Sequence, residues 1–561
     1  MYKELAAVRA ALCAEGQLFE IEEVTVDGQQ LRAWKHAANS LRDVWQQSAA
    51  HGDADYLVYG DERWTYAQAN EQISRIGNWL VSQGVAPGDR VAIAMRNYPE
   101  WMLSYWAIAS VGAVVVGVNA WWVGEELTYG LELTEPKAMI CDRERLAVYD
   151  SIRDKVPSMA VAAVRCDEVP DYATPWSEVL QSPAELPEVE IDTDADACIF
   201  FTSGTTGNPK GAQLTHRGCT NNIISSLFNN LSQLQTLAQL AGSELDTSGG
   251  NTVLLTTPLF HVTANNVVAQ TTTMLGGKLV HMYKWDAGEA LRMIEREKIT
   301  TLSGVPVMAR ELLAHPDYDK TDTSTLKALG GGGAAVQPDL VEKIDAKSGA
   351  APAQGFGMTE TCGLATGALG PFLVDRSGSV GPVIPVFDCR IVDDNGNDVP
   401  QGERGEVLLK SAQVIRGYLK RPDATAETIV DGWLHTGDIG TMDEDGFLYI
   451  VDRAKDMVLR GGENIACVEV ESTLFRFPGV TEAAVFSVPD EVLGEEVGAA
   501  LYVTGDVAVD LAELRAFCGE HLAAYKIPKY IWLLNEALPR NASGKFLKKD
   551  LQANLQVADA G

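Results

Sequence analysis

The sequence predicts an α/β fold: a large N-terminal domain of parallel αβ sheets that includes a β-rich subdomain, followed by a small α+β C-terminal domain. Three observations carry this reading. Between about residues 65 and 142, and again from 252 to 356, helically spaced apolar residues alternate with short β-branched runs, the pattern of a parallel sheet covered by helices. From about 380 to 450 the texture changes to short strands and turn clusters, as in DCRIVDDNGNDVPQGERGEVLLK. After Asp452 an alternating αβ segment leads to a lysine-rich end, which places a domain boundary there. At 561 residues the chain is long enough for several cores.

The elements follow in order. The stretch MYKELAAVRAALCAEGQLFEIEEV carries acidic residues where a secretory signal would need an unbroken apolar core, so the expected location is cytoplasmic. TYAQANEQISRIGNWLVSQG places Ile73, Ile76 and Leu80 at helical spacing and stops at Gly84. GDRVAIAMRN offers a strand after a turn, YPEWMLSYWAIAS a helix, VVVGVN a strand, GEELTYGLEL a helix and KAMICD a strand. Residues 105–122 have the length of a membrane span, but Ser110, Gly112, Gly117 and Asn119 interrupt them. The reading is a buried helix followed by a buried strand, with no integral membrane contact. AGSELDTSGGN, 241–251, has the composition of a surface loop.

Charge and cysteine usage narrow the function. Forty-five basic against 77 acidic side chains leave a formal charge of −32, which opposes binding to nucleic acid or to an anionic lipid surface. The nine cysteines are scattered singly with no CxxC pair, as expected of reduced thiols. The eight histidines show no HExxH spacing, so no transition-metal site is expected, while magnesium arriving with a nucleotide stays open.

Residues 202–211 read TSGTTGNPKG and follow DACIFF, a candidate buried strand. Glycines free the backbone to turn several N–H groups toward one point. With the hydroxyls of Thr202, Ser203, Thr205 and Thr206, the backbone of Gly204 and the cation of Lys210, the natural guest is a phosphate. The loop is not a Walker A motif, since Pro209 precedes the lysine and Gly211 follows it.

This loop resembles the signature of the AMP-forming adenylate superfamily, which includes acyl-CoA synthetases. PLFH (258–261), GFGMTE (355–360), DGWLHTGD (431–438), VDRAKDMVLRGGENI (451–465) and PRNASGK (539–545) resemble further family motifs in the expected order. The resemblance covers roughly 40–550 and leaves an N-terminal extension, 1–39, without an account. It implies an adenylating domain over 40–452, its β-rich part at about 380–450, and a mobile C-terminal domain over 453–561 that pivots near Lys455. It also implies ATP, Mg²⁺ and coenzyme A as cosubstrates and ion.

The chemistry makes the residue types intelligible. A carboxylate attacking the α-phosphate of ATP brings two anions together, so the site needs cations and oriented donors more than a base. The resemblance puts Thr359 on the α-phosphate, Glu360 and Thr206 on magnesium, and Asp438 on the ribose hydroxyls, where a carboxylate can accept two bonds. It makes Arg453 a second nucleotide contact and Lys545 the bridge between acyl carboxylate and α-phosphate. Gln354, Gly355, Phe356 and Gly357 border the nucleotide. Gly461 and Gly462 would pass the pantetheine arm of coenzyme A in a second half-reaction.

The acyl pocket is read in the same way. His261 resembles the family's gate beside the carboxylate, and ALGGGGAAV, 328–336, the loop against adenine and acid, with Gly331, Gly332, Gly333 and Ala334 at the ligand. Four consecutive glycines would leave volume for substrate or allow a backbone approach. Acetate-specific relatives carry a Trp where this chain has Gly357. That glycine predicts a pocket reaching past acetate or propionate to a medium- or long-chain fatty acid, with aromatic and polycyclic acids as the alternative. The expected activity is an acid:CoA ligase. Its rivals are an acyl-AMP ligase loading a carrier protein and a noncatalytic nucleotide-binding regulator.

Overall fold

The computed structural model describes all residues except 203–207, 246–249, 333–335, 454, 462, 491, 504–508 and 542–543. Two eight-stranded sheets form the large domain. In the first, the parallel strands Asp196–Thr202, Val114–Gly117, Arg90–Ala94, Ala138–Asp142 and Ala160–Val164 lie side by side, and Lys210–Thr215 adds antiparallel to Asp196–Thr202. In the second, Ala351–Met358, Ala328–Gly331, Thr301–Gly304, Thr252–Leu255, Lys278–His281 and Asp55–Tyr59 run parallel, and Gly363–Leu369 returns antiparallel beside Ala351–Met358.

Helices fill the space between the sheets. Helix Tyr66–Ser82 starts with a capping box, Thr65 accepting from the Gln68 N–H while the Gln68 side chain accepts from the Thr65 N–H, and it buries Ile73, Ile76 and Leu80. It packs on helix Pro99–Ser110, which is buried on every face. Trp45, Tyr56, Tyr66, Trp101 and Trp106 form the aromatic centre of this layer. The buried helix and strand expected across 105–122 are present, and among the described residues no helix is long and apolar enough to cross a membrane.

The β-rich part is an antiparallel sheet of Gly381–Pro382, Phe447–Arg453, Trp433–Met442, Gly405–Lys410 and Asp388–Val392. The C-terminal domain pairs Val480–Asp490 with Gly494–Val503 and covers this sheet with Cys467–Leu474 and Leu511–His521. All nine cysteines are unpaired.

Residues 1–39, unexplained by the sequence, seal the back of the large domain. Helix Tyr2–Leu12 lies along helix His216–Leu240 and buries Leu5 and Val8, while the half-buried Arg9 sits over the Phe228 ring and donates to the Val383 carbonyl. The hairpin of Ile21–Val26 and Gln29–Trp34 then inserts Trp34, whose indole N–H donates to Ser225 and whose backbone N–H donates to the Asn221 side chain.

Candidate active site

Of the described sequence-predicted residues, Thr202 and the run from Gln354 to Glu360 lie at the ends of strands that pair parallel with a neighbour, the place where open α/β folds bind ligands. Thr202 closes its strand and Lys210 opens the next, with the two paired across the antiparallel ladder. Ser203, Gly204, Thr205, Thr206, Gly333, Ala334 and Gly462 lie outside the described residues.

Thr359 and Glu360 sit on a short turn directly after Ala351–Met358. The turn is braced from behind. Asn222 accepts from the Leu364 N–H at 2.8 Å, and Asn266 donates to the Cys362 carbonyl at 3.0 Å. Gln413 donates to the Thr361 carbonyl at 2.9 Å, and the Ile415 N–H donates to the carbonyl of Glu360 at 3.0 Å. Glu360 is buried and accepts a 2.6 Å hydrogen bond from the Tyr418 hydroxyl, whose ring lies 4.0 Å below the Lys210 ammonium. The sequence reading missed Asn222, Asn266, Gln413 and Tyr418.

Asp438 and Arg453 face each other across neighbouring antiparallel strands, with Nε–Oδ1 at 3.1 Å. Asp438 is 3% exposed, and its Oδ2 is buried with no hydrogen-bond partner among the described residues. Burial raises its carboxyl above the ordinary value, against the pull of Arg453, Lys545 and Lys455. A buried acceptor without a donor is costly, so this oxygen suits a ligand hydroxyl. Gln354, 6% exposed, likewise has an Oε1 without a partner among the described residues.

Lys545 comes from the C-terminal domain and joins this cluster. Gly544, just before it, has φ +81°, and a Cβ there would lie 2.8 Å from Val305 of the large domain, so glycine is required both by conformation and by contact. Burial lowers the Lys545 ammonium from its usual range, as does Arg453, while Asp438 and Glu360 oppose them. The residue keeps a solvent-open portion. His261 is pushed down to about 4 by burial and then by the Lys545 cation, so its imidazole is neutral near pH 7. It stands just before a π-helical segment, Thr263–Gln270, a form that recurs at functional sites.

One glycine reading needs correction, and the structure decides between the alternatives of another. A Cβ at Gly357 would lie 1.9 Å from the Gly363 carbonyl oxygen on the neighbouring strand. Close strand approach therefore requires the glycine, which carries no information about acid size. Likewise Gly330 and Gly331 have φ of +151° and +147°, and a Cβ on either would fall 2.0 Å from the Ala353 oxygen or 2.2 Å from the Gly304 oxygen. Backbone packing claims these two positions, not substrate volume. A Cβ at Gly332 would meet the Gly355 carbonyl at 3.1 Å, and Gly355 and Phe356 continue the same ladder.

Gly461 has φ +58° and donates to the Leu493 carbonyl within the C-terminal domain, on the connection between Val458–Arg460 and Glu463–Ile465. The domain thus presents Lys545 to the cluster while Gly461 packs on its own domain. Lys455, two residues past Arg453, has an ammonium lowered by burial.

Among the described residues no three His, Cys, Asp or Glu side chains converge as a metal cage. The buried Glu360 carboxylate, linked through Tyr418 to the Lys210 ammonium, fits magnesium, which keeps much of its water shell and binds through one or two carboxylates plus substrate phosphates.

The family model for AMP-binding enzymes matches residues 44–419, and the model for their C-terminal domain matches 469–545. The chain belongs to the AMP-forming acyl-CoA synthetases of the adenylate-forming superfamily. Like other members of this family it is an enzyme served by ATP, Mg²⁺ and coenzyme A. It is similar to a feruloyl-CoA synthase from Amycolatopsis, with 36% identity over 89% of this chain and 95% of the relative. It is similar to a long-chain-fatty-acid–CoA ligase from Mycobacterium tuberculosis, with 34% identity over 88% of this chain and 93% of the relative. The crystal structure of an anthranilate CoA ligase in complex with anthranoyl-AMP superposes with a TM-score of 0.83 at 26% identity, covering 92% of this chain and 96% of that one.

Proposed function

We propose that this synthetase activates a monocarboxylic acid with an uncharged, largely apolar body, most simply a medium- or long-chain fatty acid, and transfers it to free coenzyme A. One observation carries the reaction: Lys545, Arg453, Asp438, Glu360 and His261 act on one another electrostatically although they come from distant parts of the chain. Another carries the substrate class. The segment carrying His261, residues 251–277, and those that carry nearby strands of the same sheet, 299–309 and 351–359, contain no Asp, Glu, Lys or Arg, so a second charge on the acid would find no partner on them.

In this reading Asp438 holds the ribose through its unpartnered oxygen, and Arg453 keeps that carboxylate charged and oriented. Lys210 and the loop at 202–211 take the polyphosphate, and Glu360 would hold Mg²⁺, which when bound would supply positive charge to the phosphates. Lys545 brings the acid carboxylate against the α-phosphate and compensates the charge that builds there. Neutral His261 lines the approach without adding a proton-transfer step. Acyl-AMP formed, the C-terminal domain pivots near Lys455, withdraws Lys545 and delivers Gly461 and Gly462 to the pantetheine thiol.

The similarity to feruloyl-CoA synthase supports a second reading, an aromatic or polycyclic acid in the same pocket. Pyrophosphate release with ATP and magnesium, measured across acetate, fatty acids of increasing length, cinnamates, benzoates and steroid acids, with and without CoA, separates the readings. CoA-dependent turnover peaking on medium or long fatty acids supports the first, and a peak on ring acids the second. Release without CoA turnover points to a carrier protein, and ATP binding without release to a noncatalytic regulator.

A further inference from the structure

Tyr418 lies between the two motifs that meet the polyphosphate. It belongs to Gly417–Tyr418, a two-residue strand that pairs antiparallel with Lys210–Thr215, Tyr418 opposite Ala212. The Leu419 N–H donates to the Gly211 carbonyl at 2.8 Å, and the Tyr418 N–H donates to the Thr425 hydroxyl at 2.9 Å, so the residue is anchored on both sides. Its side chain is 5% exposed. The hydroxyl donates to Oε1 of Glu360 at 2.6 Å, and the ring face carries the Lys210 ammonium at 4.0 Å from its centroid.

We propose that Tyr418 is a positioning residue for the adenylation site, aligning the Glu360 carboxylate for its ion with the hydroxyl and the Lys210 ammonium for the polyphosphate with the ring. The proposal rests on the reading of Glu360 as the ion-holding carboxylate. A carboxylate accepts at about four lone-pair sites, so one phenol bond fixes its plane and leaves acceptor capacity for a cation. Burial and then the Glu360 charge push the phenol's pKa up, so the hydroxyl stays protonated and donates at working pH. The ring attracts the lysine through its quadrupole and holds an otherwise free four-carbon arm at the end of the phosphate loop. One side chain thereby sets the relative position of an anion and a cation from sequence positions 150 residues apart.

Tyr418→Phe removes the hydroxyl and keeps the ring. The test measures Mn²⁺ affinity of the full-length protein by electron paramagnetic resonance, with a nonhydrolysable ATP analogue present, for wild type, Tyr418→Phe, Glu360→Gln and the double variant. Removing an outer partner of a metal ligand typically weakens binding about 10–100-fold, and that loss is expected for Tyr418→Phe. In the Glu360→Gln background the same substitution should change affinity less than about threefold, because the partner it acts through is already lost. Independent, multiplying losses would overturn the proposal, as would unchanged Mn²⁺ affinity in Tyr418→Phe while Glu360→Gln weakens it. Unchanged affinity in Glu360→Gln itself would overturn the underlying assignment of Glu360. Should Tyr418→Phe fold poorly, Lys210→Met reads the other half: weaker binding of the ATP analogue is expected, and wild-type binding would overturn the ring's role.

Discussion

Replacing Asp438 with Ala isolates the ribose contact. One carboxylate oxygen faces Arg453 at 3.1 Å, and the other is buried without a partner among the described residues. A bound ribose hydroxyl would complete that oxygen with a charge-assisted hydrogen bond, worth about 1.5–3 kcal/mol. Wild type should therefore prefer ATP over 2′- or 3′-deoxy-ATP by about 10- to 150-fold in kcat/KM for whichever hydroxyl that oxygen takes. The Arg453 side chain is 40% exposed and can turn to water when its partner is removed, so the variant should pay little beyond the lost contact. Asp438→Ala should lose most of its kcat/KM for ATP and discriminate between ATP and the deoxy analogues by less than about threefold. The assay is pyrophosphate release under limiting nucleotide. Discrimination that survives in the variant would refute the assignment of the orphaned oxygen to the ribose.

Three further outcomes are expected. Gly357→Ala, whose added Cβ would lie 1.9 Å from the Gly363 oxygen, should lower thermal stability and leave the ranking of acids by chain length unchanged; a shift toward short acids at wild-type stability would restore the glycine's role in the pocket. Burial raises Asp452 from 3.8 to about 6, so its contribution to stability is full below about pH 4 and lost as pH rises through 6. Two units correspond to about 3 kcal/mol at most, so Asp452→Asn should gain stability over wild type between pH 4 and pH 8 in urea titrations, and a gain in the opposite direction would contradict the burial assignment. Gly544→Ala, which is disfavoured both by its φ of +81° and by contact with Val305, should slow acyl-AMP formation more than thioester formation from supplied acyl-AMP, and equal slowing would count against docking of this loop in the first step alone.

The parts of the site that the sequence made visible are those that chemistry holds in contiguous loops. A phosphate loop must carry its glycines, hydroxyls and lysine together, and a mobile lysine needs its glycine beside it. The alternation of helices and strands was legible for a similar reason, since both periods are local. Tyr418 was not legible, because its partners are 58 and 208 residues away and its own two-residue strand has no pattern of its own. Asn222, Asn266 and Gln413 brace the Thr359–Glu360 turn from other helices and loops, and polar residues on helices read as surface until the turn packs on them. Gly357 was legible as a glycine and misread as space, and the run at Gly330 and Gly331 was left between substrate room and backbone approach, because the sequence does not distinguish room for a ligand from a neighbouring strand's carbonyl. The N-terminal extension was silent because it joins the fold through scattered side chains, among them Tyr2, Arg9, Phe19 and Trp34, with no motif.

The most direct test of the central claim, that Lys545 serves adenylation from a domain that then turns away, is to assay Lys545→Ala in the two half-reactions separately. Acyl-AMP formation should fall about 10²–10³-fold, by the measure of removing one preorganised charge contact. Thioester formation from supplied acyl-AMP and CoA should stay within a few-fold of wild type. Equal loss in both halves would contradict domain alternation, and full activity in the first would remove Lys545 from the site.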